Sequence, residues 1–236
     1  MNSHYEDDSM PRPRVPHRRD LILDAARALF HEKGWTRTTV SDIATHAMIG
    51  KGAVYLEFEN KAAILDGLIR ESSRRLIAQV RSRVLQADGI VDLAQVYRFS
   101  VTALLSDPLM RALYLDDAAV LGNHMADVAN TRYRRRIDWL DEYVRHLQNA
   151  GVITDSIEPT AIVRMLSTFT IGLVHSPATM GECSPQELSD SVVLFADVTS
   201  RGLAPASTPD ADAARQAQLL LLQRLDDQLS EVEDHN

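Results

Sequence analysis

Residues 39–58 read TVSDIATHAMIGKGAVYLEF, two short helical segments joined by a tight turn. In the first, Val40, Ile43, Ala44 and Ala47 fall at i, i+3, i+4 and i+7, one apolar stripe of a helix. Thr39 and Asp42 form a capping pair at its start. The hydroxyl accepts a backbone N–H, and the carboxylate favours the positive helix end. In the second segment Val54 and Phe58 face inward four residues apart, which leaves Lys51, Gly52, Ala53 and Tyr55 to point outward. A helix with so few bulky outward side chains can approach a major groove closely.

Upstream, Arg18 to Lys33 reads as one helix with Ile22, Ala25, Ala26, Leu29 and Phe30 on its buried face and Gly34 placed to end it. Downstream, Asn60 is placed to cap a long helix that buries Ile64, Leu65, Leu68, Leu76 and Val80 and closes near Gly89. Further helices are expected at 91–105, 108–115, through a stretch ending near Ala150 with Gly151 as its stop, at 160–174 and at 185–201. Pro108, Pro159 and Pro185 all suit a helical first turn, and Ser184-Pro-Gln-Glu187 is a capping box. Residues 203–209, LAPASTP, have linker composition. Beyond them 211–232 forms an amphipathic helix with Leu222, Leu225, Leu229 and Val232 on one side. No stretch shows strand alternation, and no internal repeat is present at solenoid period.

The chain has 236 residues, 45% of them hydrophobic, enough for one large or two small cores. Its single cysteine, Cys183, excludes an internal disulfide framework. No apolar run reaches membrane-spanning length, and the start MNSHYEDDSM is acidic where a secretory signal is basic and apolar. A cytoplasmic protein is the expectation. Net charge is −8, but it is uneven: residues 9–56 carry eight Arg/Lys against four acids, a net +4, leaving −12 for the remainder. A basic head on an acidic body suits phosphate binding by the head alone.

The order of these parts resembles the TetR family of bacterial transcriptional regulators. The likeness rests on the helix ending in Gly34-Trp35, the Thr38-Thr39 start, the Asp42-Ile43-Ala44 step, the Gly52-x-x-Tyr55-x-x-Phe58 helix and Lys61 at the next helix start. It is motif-specific over residues 18–68 and architectural beyond. It implies an all-α fold: an N-terminal three-helix helix-turn-helix domain, then a larger helical ligand-binding and dimerisation domain. The expected organisation is a flexible basic, Pro-rich arm (1–16), the DNA-binding domain (17–76, motif 39–58), the body (77–204) and a linker with a C-terminal helix (205–236). Thr38 and Thr39 would meet a phosphate; Gly50, Lys51, Gly52 and Ala53 would lie along the groove. Tyr55 would contact backbone or base, and Lys61 would clamp a phosphate.

Three positions depart from the family pattern. Met48 stands where the turn usually has glycine, and a methionine at positive φ costs about 1 kcal/mol or more; either the turn is shaped differently or Gly50 takes part of the strain. Gly50 replaces a serine cap. Glu57 stands where histidine is common, and a carboxylate repels phosphate, so Lys51 and Tyr55 must carry more of the contact. Upstream, PRPRVPHRR (11–19) reads as a groove-reaching arm or as a solubilising tail.

The body has two strongly apolar helices, with Ile162, Met165, Leu166, Phe169 and Leu173 on one and Leu188, Val192, Phe195 and Val198 on the other. With Gly172 permitting close approach, these residues are expected to form a two-fold seam, since two recognition helices read a palindrome and one reads too little. The resemblance also implies a small-molecule pocket, with Phe99, Leu104, Met110, Tyr114, His124, Met125, Trp139, Tyr143, Phe169 and His175 as candidate lining; aromatic and Met side chains at helical spacing also fill ordinary cores. The run Arg132-Tyr-Arg134-Arg135-Arg136 reads either as an acidic-effector site or, through Arg134/Asp138 and Asp141/Arg145, as solvated helix pairs. The terminal leucine stripe suits either packing onto the chain's own body, which is the expectation, or a weak coiled-coil contact. Gly50-Lys51-Gly52 lacks the spacing of a phosphate loop, the histidines show no metal-ligand pairing, and Cys183 has no base nearby in sequence. No cofactor, metal or catalysis is expected. The expected function is a homodimeric repressor of a palindromic operator, released by a small-molecule effector; the alternative is a helical ligand-binding or catalytic protein with a vestigial head.

Overall fold

A computed structural model describes residues 17–89, 91–114, 139–181, 184–206 and 209–234, and among them every regular element is a helix. The head holds α1 (Arg18–Lys33), α2 (Val40–His46), α3 (Lys51–Tyr55) and the first half of α4 (Lys61–Gln86). The body adds α5 (Leu93–Ser106), α6 (Pro108–Tyr114), α7 (139–149), α8 (Pro159–Met180), α9 (Pro185–Gly202) and α10 (Ala211–Asp234). Local chemistry sets most boundaries. Gly34 ends α1 at φ 76° with its N–H on the Phe30 carbonyl. The Asn60 side chain caps α4, and Ser184 with Glu187 closes a capping box on α9. Asp92 with Gln95 does the same for α5.

Two hydrophobic cores result. The head core joins Ile22, Ala26, Phe30, Trp35, Ile43, Val54, Phe58, Ile64 and Leu68. Gly67 lets α4 settle onto this cluster: a Cβ there would lie 2.9 Å from Leu23 Cδ2 and 3.2 Å from Phe58 Cε1. The body core joins Val80, Val84, Leu93, Tyr97, Leu147, Ile162, Leu166, Val192, Leu221 and Leu225. α4 belongs to both, passing from the head core at Ile69 to the body core at Val80 without a break.

One element crosses a boundary expected from sequence. Leu109 and Ala112 of α6 are buried in the head core, so α6 docks on the head although its position in the chain assigned it to the body. Ala217, Leu221 and Leu225 of α10 are buried in the body core, and α10 packs along α4. Leu225 and half-buried Leu222 of the terminal stripe thus pack onto the chain's own body. Arg81 pairs with Asp226, and Gln218 Oε1 accepts the Val91 N–H at 3.0 Å, both linking α10 to the region of α4's C-terminal half.

Candidate nucleic-acid interface

α2 and α3 meet as the sequence pattern requires, with Ile43, Ala44, Val54 and Phe58 buried between them and the rest of the head. At the N-terminus of α2 the capping box is complete: Thr39 Oγ1 accepts the Asp42 N–H at 3.1 Å, and Asp42 Oδ2 accepts the Thr39 N–H at 2.8 Å. Lys33 Nζ donates to the same carboxylate oxygen at 2.8 Å. These hydrogen bonds, the Lys33 one foremost, hold the Asp42 carboxyl down at about 2. The Thr39 oxygen is used as an acceptor, so its exposed O–H proton is available to a phosphate oxygen.

Neighbouring Thr38 does not share that role. It is fully buried, and its Oγ1 donates to the Gly34 carbonyl at 2.9 Å, so it ties the α1–α2 loop together and faces no phosphate. Which of two adjacent hydroxyls faces outward depends on where the Gly34 carbonyl lies, and motif spacing carries no trace of that.

The turn before α3 keeps the left-handed residue at position 48. Met48 has φ 55°, whereas Gly50 is extended at φ −71°, ψ 145° and takes none of the strain. Gly50 caps α3 without a side-chain bond. Along α3, Lys51, Gly52 and Tyr55 are exposed and Ala53 is half-buried. Lys51 Nζ lies 6.0 Å from the Tyr55 ring centroid, so cation and aromatic face share one surface. A Cβ built at Gly52 would meet nothing within 4 Å, so that position leaves the surface bare.

Sequence reading missed two residues here. Leu56, 77% exposed, stands four positions after Gly52 on the outward side of the helix. Its signal was available: Val54 and Phe58 define the buried side, and Leu56 falls opposite both at 100° per residue. Arg37 is a second, exposed beside the loop and held by an Nε–H bond to the Lys33 carbonyl at 2.7 Å.

Two expected contacts are partly occupied within the head. Lys61 Nζ donates to the Trp35 carbonyl at 2.6 Å and sits 4.9 Å from the Trp35 ring centroid; partial burial lowers its pKa. Two of its three N–H donors remain for other partners. Glu57 is paired with Arg18 at 3.3 Å, so its carboxylate is neutralised where the family pattern has histidine. Arg19 lies 4.5 Å from the Phe58 ring centroid. Arg18 and Arg19 thus serve the head's own packing.

Of the candidate pocket residues, Tyr143 belongs to the body core and Phe99, Trp139 and Phe169 pack against it. Leu104 is buried, Met110 Sδ accepts from Ser73 Oγ at 3.8 Å, and half-buried Phe99 lies within 6 Å of the Arg83 and Arg98 guanidinium carbons. Trp139 stacks on Tyr143, whose hydroxyl is sealed from solvent and raised in pKa, chiefly by burial. Phe169 stacks on Phe195 with ring centroids 3.7 Å apart, and His175 is exposed. Tyr114 ends α6, while His124, Met125 and Arg132 to Arg136 lie outside the described residues. Two cavities stand out, about 270 Å³ at the head–body junction and about 430 Å³ between α4 and α10; none of the eight candidates among the described residues lines either one.

The apolar faces of α8 and α9 also divide differently from expectation. Ile162, Leu166, Leu173 and Val192 are buried in the chain's own core, because both helices are apolar on more than one side. Leu188, Phe169 and Phe195 are half-buried against that core. Of the residues expected at a seam, Met165 and Val198 remain exposed. They join Ala161, Thr168 and Gly172 on α8 and Leu194, 65% exposed, on α9.

No helix among the described residues is long and apolar enough to cross a membrane. The family model described as "Bacterial regulatory proteins, tetR family" matches residues 22–68, the segment that builds the head. The repressor KstR2 of Mycobacterium tuberculosis is 30% identical over 158 residues, covering 66% of this chain and 76% of that protein. The A-factor receptor protein of Streptomyces griseus is 28% identical over 156 residues; the match covers 63% of this chain and 51% of the receptor's length. Among solved structures, the SmeT complex with triclosan shares the fold at TM-score 0.62 and 24% identity, covering 82% of this chain and 97% of that one. The chain belongs to the TetR family of bacterial regulatory proteins, whose members are DNA-binding transcription regulators.

Proposed function

We propose that this chain is a homodimeric transcriptional repressor that binds a palindromic operator through α3 and leaves it when a small-molecule effector binds the body. The observation that carries the reading is the outer surface of α3, where Lys51, Tyr55 and Leu56 surround a bare Gly52. Lys51 supplies the phosphate attraction, Thr39 and Arg37 add donors beside it, and Tyr55 and Leu56 offer flat and apolar surfaces to base edges and thymine methyls. Ala53 lines the groove-facing side, and Lys61 fixes the start of α4 while keeping donors free. The names of two relatives, a repressor and a receptor, support regulation by a ligand.

The seam we assign to the exposed ridge Ala161, Met165, Thr168 and Gly172 of α8 with Leu194 and Val198 of α9. Small residues there let two copies approach closely, and the Phe169–Phe195 stack stiffens the wall behind them. A two-fold dimer presents two α3 helices about one duplex turn apart, as a palindrome requires.

The test is recovery of genomic fragments bound by the full chain, followed by gel shifts on the selected site. Lys51→Ala with Tyr55→Ala abolishes the specific shift, and Lys51→Ala alone lowers the slope of log affinity against log salt by about one. Absence of saturable duplex binding across a genomic or randomised library would overturn the reading.

A further inference from the structure

Along the stretch where α4 passes from the head core to the body core, a cavity of about 270 Å³ opens between α1, α4, the end of α5 and the start of α6. This is room for about nine water molecules. Its walls are of two kinds. Phe30, Leu68, Leu76 and Leu109 supply apolar surface, and Arg27 and Arg75 supply guanidinium groups.

The two guanidinium groups differ in how far they are engaged. Arg27, with its side chain only 20% exposed, donates to both Asp24 and Glu71 and is held within the head by that pair. Arg75 donates to Ser72 Oγ at 3.3 Å, and its nearest Glu71 oxygen is 3.9 Å away, beyond hydrogen-bond reach. Glu71 is thus taken up by Arg27, which leaves the Arg75 guanidinium with Ser72 as its hydrogen-bond acceptor. The carboxylate on the cavity wall, Asp107, is engaged by the Leu109 and Met110 N–H groups at the start of α6.

We propose that this cleft is a regulatory site for small monocarboxylates with an apolar body, the carboxylate taken by Arg75 and the body by the leucine and phenylalanine wall. A molecule seated there touches the head through α1 and the body through α5 and α6 at once. It binds one head position better than another and so shifts operator affinity, a consequence that rests on the DNA-binding reading above.

Equilibrium dialysis of the full chain with radiolabelled octanoate and 3-phenylpropanoate tests the site directly, with octanamide as the uncharged control. Saturable binding of at least one acid is expected, one molecule per chain, and none of the amide. Arg75→Gln weakens it about tenfold. Ser106→Trp, at an exposed position on the cavity wall, blocks it while circular dichroism stays unchanged. In a second arm, the bound acid changes the affinity of the wild-type chain for its selected duplex and leaves that of Ser106→Trp unchanged. No saturable uptake of either acid at millimolar concentration, or uptake undiminished in both variants, overturns the site. Uptake without any change in duplex affinity overturns its regulatory role. A chain that takes up the acid yet binds no duplex at all would instead overturn the operator reading, so the two failures are distinguishable.

Discussion

Met48→Gly should stabilise the head, and the size of the gain follows from the backbone. Met48 holds φ 55° with its side chain 92% exposed, so truncating it removes strain without removing packing. An L-residue in the left-handed region costs about 1–2 kcal/mol, and glycine returns about 0.5–1 kcal/mol of that through its freer unfolded chain. The difference is a stabilisation of roughly 0.5–1 kcal/mol. Met48→Ala is the control: it keeps the strained backbone and should stay within about 0.5 kcal/mol of the parent. Urea unfolding reads the effect at fixed protein concentration, followed by the fluorescence of Trp35, which is buried in the head core. The chain has two tryptophans, so a Trp139→Phe background makes the signal specific to the head. With a denaturant slope of about 2 kcal/mol/M, the midpoint should rise by roughly 0.3–0.5 M. If the glycine variant unfolds at or below the urea concentration of the alanine variant, positive φ is not the feature that distinguishes this turn. A loss in Met48→Ala well beyond the control range would instead mean that the methionine packs against something.

The remaining predictions concern charge and assembly. Because hydrogen bonding places the folded Asp42 carboxyl at about 2, below its ordinary 3.8, its contribution is complete above the higher value and disappears as pH falls toward the lower one. A carboxyl NMR titration should give a midpoint near 2 for Asp42, and Asp42→Asn should flatten the acid limb of stability in that window; a midpoint at the ordinary value would show the Lys33 and Thr39 bonds to be absent in solution. Leu194→Asp, on the exposed face of α9, should convert a dimer to a folded monomer in sedimentation velocity, and a persisting dimer would place the seam elsewhere.

Features set within one helical turn were legible from sequence. The Thr39–Asp42 box, the Gly34 stop, the Asn60 cap, the Ser184–Glu187 box and the buried pair Val54 and Phe58 depend on residues at most four apart, and each stands where its spacing predicts. What escaped depends on partners distant in the chain. Lys61 finds the Trp35 carbonyl 26 residues back, Arg18 finds Glu57 across 39, and Leu109 and Ala112 are drawn into a core whose remaining buried members end at Ile69. The α8 and α9 faces failed for another reason. Ile162 and Leu166 point one way while Ala161, Met165 and Gly172 point another, so a helix apolar on several sides gives periodicity no means of choosing which face its own core takes.

The same long-range contacts make α4 a stiff lever. Its C-terminal half is gripped by α10 through Val80, Val84, Leu221 and Leu225, with the Arg81–Asp226 pair on the outside. Its N-terminal half is embedded in the head with Ile64, Leu65 and Leu68, and Lys61 ties it to the Trp35 carbonyl. From Val80 to Lys61 the helix runs about 29 Å. A tilt of roughly 6° about the body end would therefore carry the head about 3 Å. In a dimer each head moves by that amount, and the spacing between the two α3 helices changes by up to about 6 Å against a helical repeat of about 34 Å. Shifts of that size exceed the tolerance of side-chain contacts to base edges, which span roughly 3 Å. α6 makes the tilt controllable, because Leu109 and Ala112 sit in the head core while α6 also packs against α5 and α8. A ligand that displaces α5 or α8 must then either drag the head with α6 or pull Leu109 out of its core, at a cost comparable to a core Leu→Ala change, about 2–5 kcal/mol. Moving the head with α6 keeps Leu109 in its core, and on the proposed operator reading it is the motion that would draw the recognition helices from their sites.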